Sequence, residues 1–91
     1  MAGLHQKKAE RRGEDFTVPS EWIAEGFRLD PAEVGAMMRR GEITGQCEKG
    51  IGEDAGRWRL TLIHGGRRLR FTVADAGTLL KRTLFDAPRR D

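Results

Sequence analysis

Two runs of strictly alternating residues, separated by a pair of glycines, restrict this chain more than any other feature. Trp58, Leu60 and Leu62 alternate with Arg57, Arg59 and Thr61, and Leu69, Phe71 and Val73 alternate with Arg68, Arg70 and Thr72. A period of two marks a strand with one buried and one wet face. Gly65-Gly66 between the runs is a tight-hairpin signal. A two-residue loop there sets His64 opposite Arg67, Leu62 opposite Leu69, Leu60 opposite Phe71 and Trp58 opposite Val73. All the large apolar residues then share one face. A slip of a single residue would turn every one of them to solvent, so the register is well specified.

The flanking segments extend this hairpin. Ile43 to Glu48 is expected to pair on its far side, with Glu48 opposite Arg57, Gln46 opposite Arg59 and Cys47 beside Trp58 in the core. The Gly-rich stretch from Gly50 to Gly56 is then a connecting loop. Asp75-Ala76-Gly77 reads as another turn. Thr78 to Phe85 fits a fourth strand, and Leu79, Leu80, Thr83 and Leu84 also fit a helical period; the strand is preferred because consecutive elements tend to be neighbours.

Upstream, Phe16 to Val18 reads as a short extended piece stopped by Pro19. Ser20 is expected to cap a short helix whose buried stripe is Trp22, Ile23 and Phe27. A second helix opens at Asp30-Pro31-Ala32-Glu33, an N-cap followed by proline at the first helical position and glutamate three residues on. It runs through Val34, Met37 and Met38, its apolar face, to Arg39 and Arg40, and Gly41 ends it. Residues 1–14, with Lys7, Lys8, Arg11 and Arg12, read as a disordered basic tail. Residues 15–86 read as a single α+β domain, and 87–91 as a frayed terminus. The predicted fold is two short N-terminal helices followed by a three- or four-stranded antiparallel β-meander.

Composition narrows the function. The 91 residues suit one domain with a thin core. Seventeen basic and 14 acidic side chains give a net charge of +3, less lopsided than a dedicated nucleic-acid binder usually shows. Most of the basic residues are arginine, the better fork for carboxylate or phosphate. The opening residues contain no apolar segment of a secretory signal, and no apolar run approaches the ~20 residues of a membrane span. A cytoplasmic location without membrane association is therefore expected. The single cysteine, Cys47, excludes an internal disulfide.

Candidate chemistry is sparse. Gly50, Gly52 and Gly56 lack the order of a phosphate-binding loop and join two strands. A cation site from Glu48, Glu53 and Asp54 lacks the alternating oxygen ligands of a calcium loop. Cys47 and His64 are held apart along the sheet, so no nucleophile and base come together. Neither a cofactor nor a metal is expected, and no enzyme. The strongest candidate is the wet sheet face with Arg57, Arg59, Arg68 and Arg70, bordered by Glu48 and by a loop carrying Glu53 and Asp54. One of those two acids is expected to fold back on Arg57 or Arg59.

Two resemblances add to this reading. Ile23 to Val34, with Ala24, Leu29, Asp30 and Val34 in the pattern positions, resembles a bacterial helix-turn-helix. Arg39-Arg40-Gly41-Glu42-Ile43 before a hairpin is similar to the second helix and wing of excisionase-like or MerR-like domains. That resemblance implies DNA contacts from Arg28, Arg39, Arg40 and Arg67. Arg28 stands where the pattern has its turn glycine, and the second helix exposes Ala32, Glu33, Gly35 and Ala36, which read base edges poorly. The region from Phe16 to about Phe85 resembles a family of small uncharacterised bacterial proteins, a domain of unknown function. The match is carried by Leu29-Asp30-Pro31, Met38-Arg39-Arg40-Gly41, Cys47-Glu48-Lys49-Gly50 and the run from Glu53 to Thr61. It implies a fold and no chemistry. The expected function is a non-enzymatic accessory or regulatory module that binds a protein partner, the alternative being a winged helix-turn-helix DNA-binding regulator. A homodimer through an open sheet edge is compatible with either.

Overall fold

The Gly65-Gly66 bend is formed as its sequence requires, with both glycines at positive φ (57° and 79°). It joins two eight-residue strands in a computed structural model of the protein that describes residues 8–86. In chain order the elements are β1 (Glu10–Arg12), β2 (Asp15–Thr17), α1 (Ser20–Phe27), α2 (Pro31–Arg39), β3 (Thr44–Lys49), β4 (Arg57–His64), β5 (Arg67–Ala74) and β6 (Leu79–Asp86). β3 to β6 form one antiparallel sheet in the order β3-β4-β5-β6, and β1 and β2 form a separate two-stranded sheet.

The central register is the expected one: His64 faces Arg67, Leu62 faces Leu69, Leu60 faces Phe71 and Trp58 faces Val73. All six apolar residues are buried. Trp22, Ile23, Ala24 and Phe27 of α1, Val34 of α2 and Ile43 complete the core. Gly26 brings α1 against β5, because a Cβ there would overlap the Leu69 side chain.

Both helices form with amended ends. Ser20 is not the cap of α1 but its first residue. Pro19 occupies the cap position, and its carbonyl accepts from the Trp22 amide (3.0 Å). Arg28 closes α1 in the left-handed conformation (φ 61°, ψ 51°), and the amide of Leu29 reaches back to the Ala24 carbonyl (2.8 Å). At the start of α2, Asp30 Oδ1 accepts from the Ala32 amide (3.0 Å). The return bond from Glu33 that would complete a capping box is not made among the described residues. Gly41 (φ 79°) ends α2 as expected. Its amide bonds the Met38 carbonyl and that of Glu42 bonds the Met37 carbonyl, a full Schellman closure. Of the expected apolar face of α2, Val34 is buried and Met37 half-buried, but Met38 is 42% exposed.

Three expectations need correction. The helices do not open the fold; in chain order they lie between the two sheets. The chain assigned to a basic tail is, from Glu10 to Arg12, the first strand of a hairpin that turns at Gly13 (φ 64°). Residues 1–7 and 87–91, including Lys7 and the expected frayed end, lie outside the described residues. β3 pairs with β4 two residues away from the expected register, with Glu48 opposite Arg59, Gln46 opposite Thr61 and Cys47 opposite Leu60. The cause is the loop: Gly50 already bonds Arg57 (2.8 Å), and a single 3₁₀ turn, Gly52–Asp54, spans the remainder. A slip of two keeps each side chain on its expected face. β6 is a strand, as expected, with a bulge that leaves Leu80 between the pairs Val73–Leu79 and Thr72–Lys81.

Candidate functional site: the open arginine face

Strand parity places Arg57, Arg59, Thr61 and Ile63 of β4 on the sheet face turned away from the helices. Arg68, Arg70 and Thr72 of β5 join them, with Gln46 and Glu48 of β3. After the Leu80 bulge, Lys81, Thr83 and Phe85 of β6 share this face too. No element among the described residues covers it. The helices and the β1–β2 hairpin pack on the opposite side, where Phe16 meets the Trp58 ring edge-on (5.2 Å between centroids).

The four arginines do not behave alike. Arg57 and Arg59 are exposed, while Arg68 and Arg70 are half-buried. Arg70 lies along the sheet, with Nε donating to Thr61 Oγ1 (3.2 Å) and its guanidinium over the Phe85 ring (5.3 Å). This buries Thr61, a position whose polarity alone reads as wet. Arg68 sits between its cross-strand neighbours Ile63 and Phe85, and its Nε is buried without a hydrogen-bond partner among the described residues. Of the acids expected to fold back, Asp54 approaches Arg59 (3.9 Å). Both are about half exposed, so the pair adds little to stability. Glu53 is exposed on the 3₁₀ turn and makes no ion pair among the described residues.

Where the loop rises beside the sheet it encloses a recess of about 380 Å³ lined by Glu48, Ile51, Asp54, Arg57, Arg59 and Lys81. Two of these were missed in the sequence. Lys81 was hidden because the bulge inverts the parity of β6. Ile51, 80% exposed at the rim, carried a readable signal, an isolated large apolar residue between two loop glycines.

The arginines assigned by the helix-turn-helix resemblance lie elsewhere. Arg28 and Arg40 follow the C-terminal ends of α1 and α2. Arg39 is exposed in the last turn of α2. Arg40 is clasped by Glu42 through two bonds (2.7 and 3.0 Å), which raise its pKa and lower that of the carboxylate. Arg67 opens β5, 4.0 Å from Asp86. His64, beside it, donates from Nδ1 to the Glu42 carbonyl (2.9 Å) and meets Phe27 edge-on (5.4 Å).

Cys47 is half-buried opposite Leu60, and burial, followed by the nearby carboxylates of Asp15, Glu14 and Glu48, pushes its thiol pKa up. His64 lies about 13 Å further along β4 at ~3.3 Å per residue, so the two do not meet. Among the described residues no three His, Cys, Asp or Glu side chains converge as a metal-ligand set, and no helix is long and apolar enough to cross a membrane.

The model of a family of unknown function, DUF6522, matches residues 6–91. The chain belongs to this family. The DUF6522 match takes in all the described elements, the β1–β2 hairpin included. Comparison with curated proteins and with solved structures finds no match.

Proposed function

We propose that this protein is a non-enzymatic binding module whose open sheet face engages an acidic segment of a protein partner. The observation that carries this reading is the concentration of Arg57, Arg59, Arg68, Arg70 and Lys81 on three adjacent strands of an uncovered face, where among the described residues Asp54 is the one acid ion-paired to them. Charge-assisted forks from arginine to carboxylate are the strong hydrogen bonds available to such a surface. Ile51 at the rim of the recess supplies an apolar anchor beside the charges, the mixture found at protein interfaces. Glu48 and Asp54 interrupt the positive field, which favours a discrete acidic segment over a continuous phosphate backbone.

The test is fluorescence anisotropy with a short labelled peptide of glutamates and leucines, beside a labelled DNA duplex, each at low and physiological salt. The reading requires saturable peptide binding that Ile51→Ala weakens. Tight duplex binding with a steep salt slope, lost on Arg39→Ala/Arg40→Ala, would instead support the DNA-binding regulator. Absence of peptide binding at low salt would overturn the proposal.

A further inference from the structure

We infer that two copies of the chain pair antiparallel through β3, centred on Cys47, to make a continuous eight-stranded sheet. The sheet has two edges, and they are not equivalent. β6 is blunted by the Leu80 bulge and by Lys81 and Arg82, devices that oppose strand addition. β3 is regular over all six residues, and every residue except the half-buried Cys47 is exposed.

The bonding pattern fixes the register. The Gly50 amide bonds Arg57, so in the antiparallel alternation Glu48, Gln46 and Thr44 turn their backbone groups toward β4. Gly45, Cys47 and Lys49 therefore direct their N–H and C=O groups outward. A two-fold axis at Cys47 uses all three, with Cys47 opposite Cys47 and Gly45 opposite Lys49 of the second copy.

That register is also complementary in shape and charge. On the arginine face it sets Gln46 against Glu48 of the second copy, so the two glutamates do not oppose each other. On the other face Lys49 comes beside Gly45, the one edge position without a side chain. Small residues at Gly45 and Cys47 leave a groove of about 710 Å³ there, floored by Phe16, Ile23, Leu60 and Leu62, with the exposed Met38 at its lip. At the Lys49 end of β3 Glu14 pairs with Lys49 (3.6 Å) and Asp15 is exposed, while at the Thr44 end Arg40 is clasped by Glu42 and Arg39 is exposed. Antiparallel pairing brings the end with the exposed Asp15 of one copy to the end that follows the exposed Arg39 of the other.

Sedimentation velocity over a concentration series, with a short bis-maleimide cross-linker on Cys47, tests this. A reversible dimer is expected whose cross-linked yield tracks the dimer fraction. Gln46→Glu, which places like charges across the axis twice, is expected to weaken it about tenfold, and Gln46→Lys to tighten it. Thermal melts of dilute protein would report whether either variant disturbs the subunit itself. A monomer throughout, or a dimer that neither substitution moves and Cys47 does not cross-link, would overturn the inference.

Discussion

Trp58 organises the interior at the scale of single residues. Its ring is 1% exposed, its Nε1–H donates to Asp75 Oδ1 (2.7 Å), and Arg11 lies over its face at 4.8 Å while pairing with the same carboxylate (3.5 Å). Asp75→Ala would strand the indole donor and release Arg11. A loss of about 1–3 kcal/mol in urea unfolding is expected. Arg28 holds a left-handed backbone that costs a side chain roughly 1 kcal/mol and glycine almost nothing. Arg28→Gly is therefore expected to raise stability by about that amount, and an unchanged or lower urea midpoint would contradict the assignment. For Cys47, the upward shift keeps more of the thiol protonated at any given pH. Iodoacetamide is expected to react with the folded protein along a pH curve displaced above that of the unfolded chain; a curve displaced downward would be the contrary result.

At the scale of elements, the readable parts were those whose geometry is local. The β4–β5 register follows from a two-residue turn that admits one alignment of six apolar side chains. The ends of α2 follow from Asp30-Pro31 and Gly41, where capping chemistry needs no tertiary help. Less readable were elements whose shape depends on distant contacts. In the β1–β2 hairpin the three charged residues of β1 resemble a solvated tail, and the hairpin is held by Phe16 and Arg11 on Trp58 and by Ala9, whose amide bonds the Gly77 carbonyl (3.0 Å). The β3 register missed by two because a 3₁₀ turn shortens the Gly50–Gly56 loop. In β6 the helix-like spacing of Leu79, Leu80, Thr83 and Leu84 is the trace of a bulge, which adds one residue to a period of two. Gly77 joins these long-range contacts: at φ 93° a Cβ would overlap the Ala9 carbonyl. Gly77→Ala is expected to cost more than about 2 kcal/mol and to expose β1 and β2 to early amide exchange.

For the whole molecule, the sheet divides two roles. One face is sealed by the helices and the small hairpin and supplies the core. The other carries the exposed Arg57 and Arg59 beside the half-buried Arg68 and Arg70. Of the candidate site, Arg57, Arg59, Arg68, Arg70 and Glu48 were legible from alternation, and Asp54 from its place in the adjoining loop. The flattening of Arg70 over Thr61 and the arrival of Lys81 were not, since both depend on how β6 pairs. Arg57 and Arg59 are exposed and make at most the one long pair with Asp54, so reversing their charge is expected to leave folding nearly unchanged while removing the attraction for an acidic segment. The most direct measurement is the acidic-peptide titration repeated on Arg57→Glu/Arg59→Glu, with a thermal melt of the same sample. The account expects affinity to fall at least tenfold while the melting temperature moves by no more than a few degrees. Unchanged affinity, or a melt lowered enough to show that these arginines hold the fold together, would contradict it.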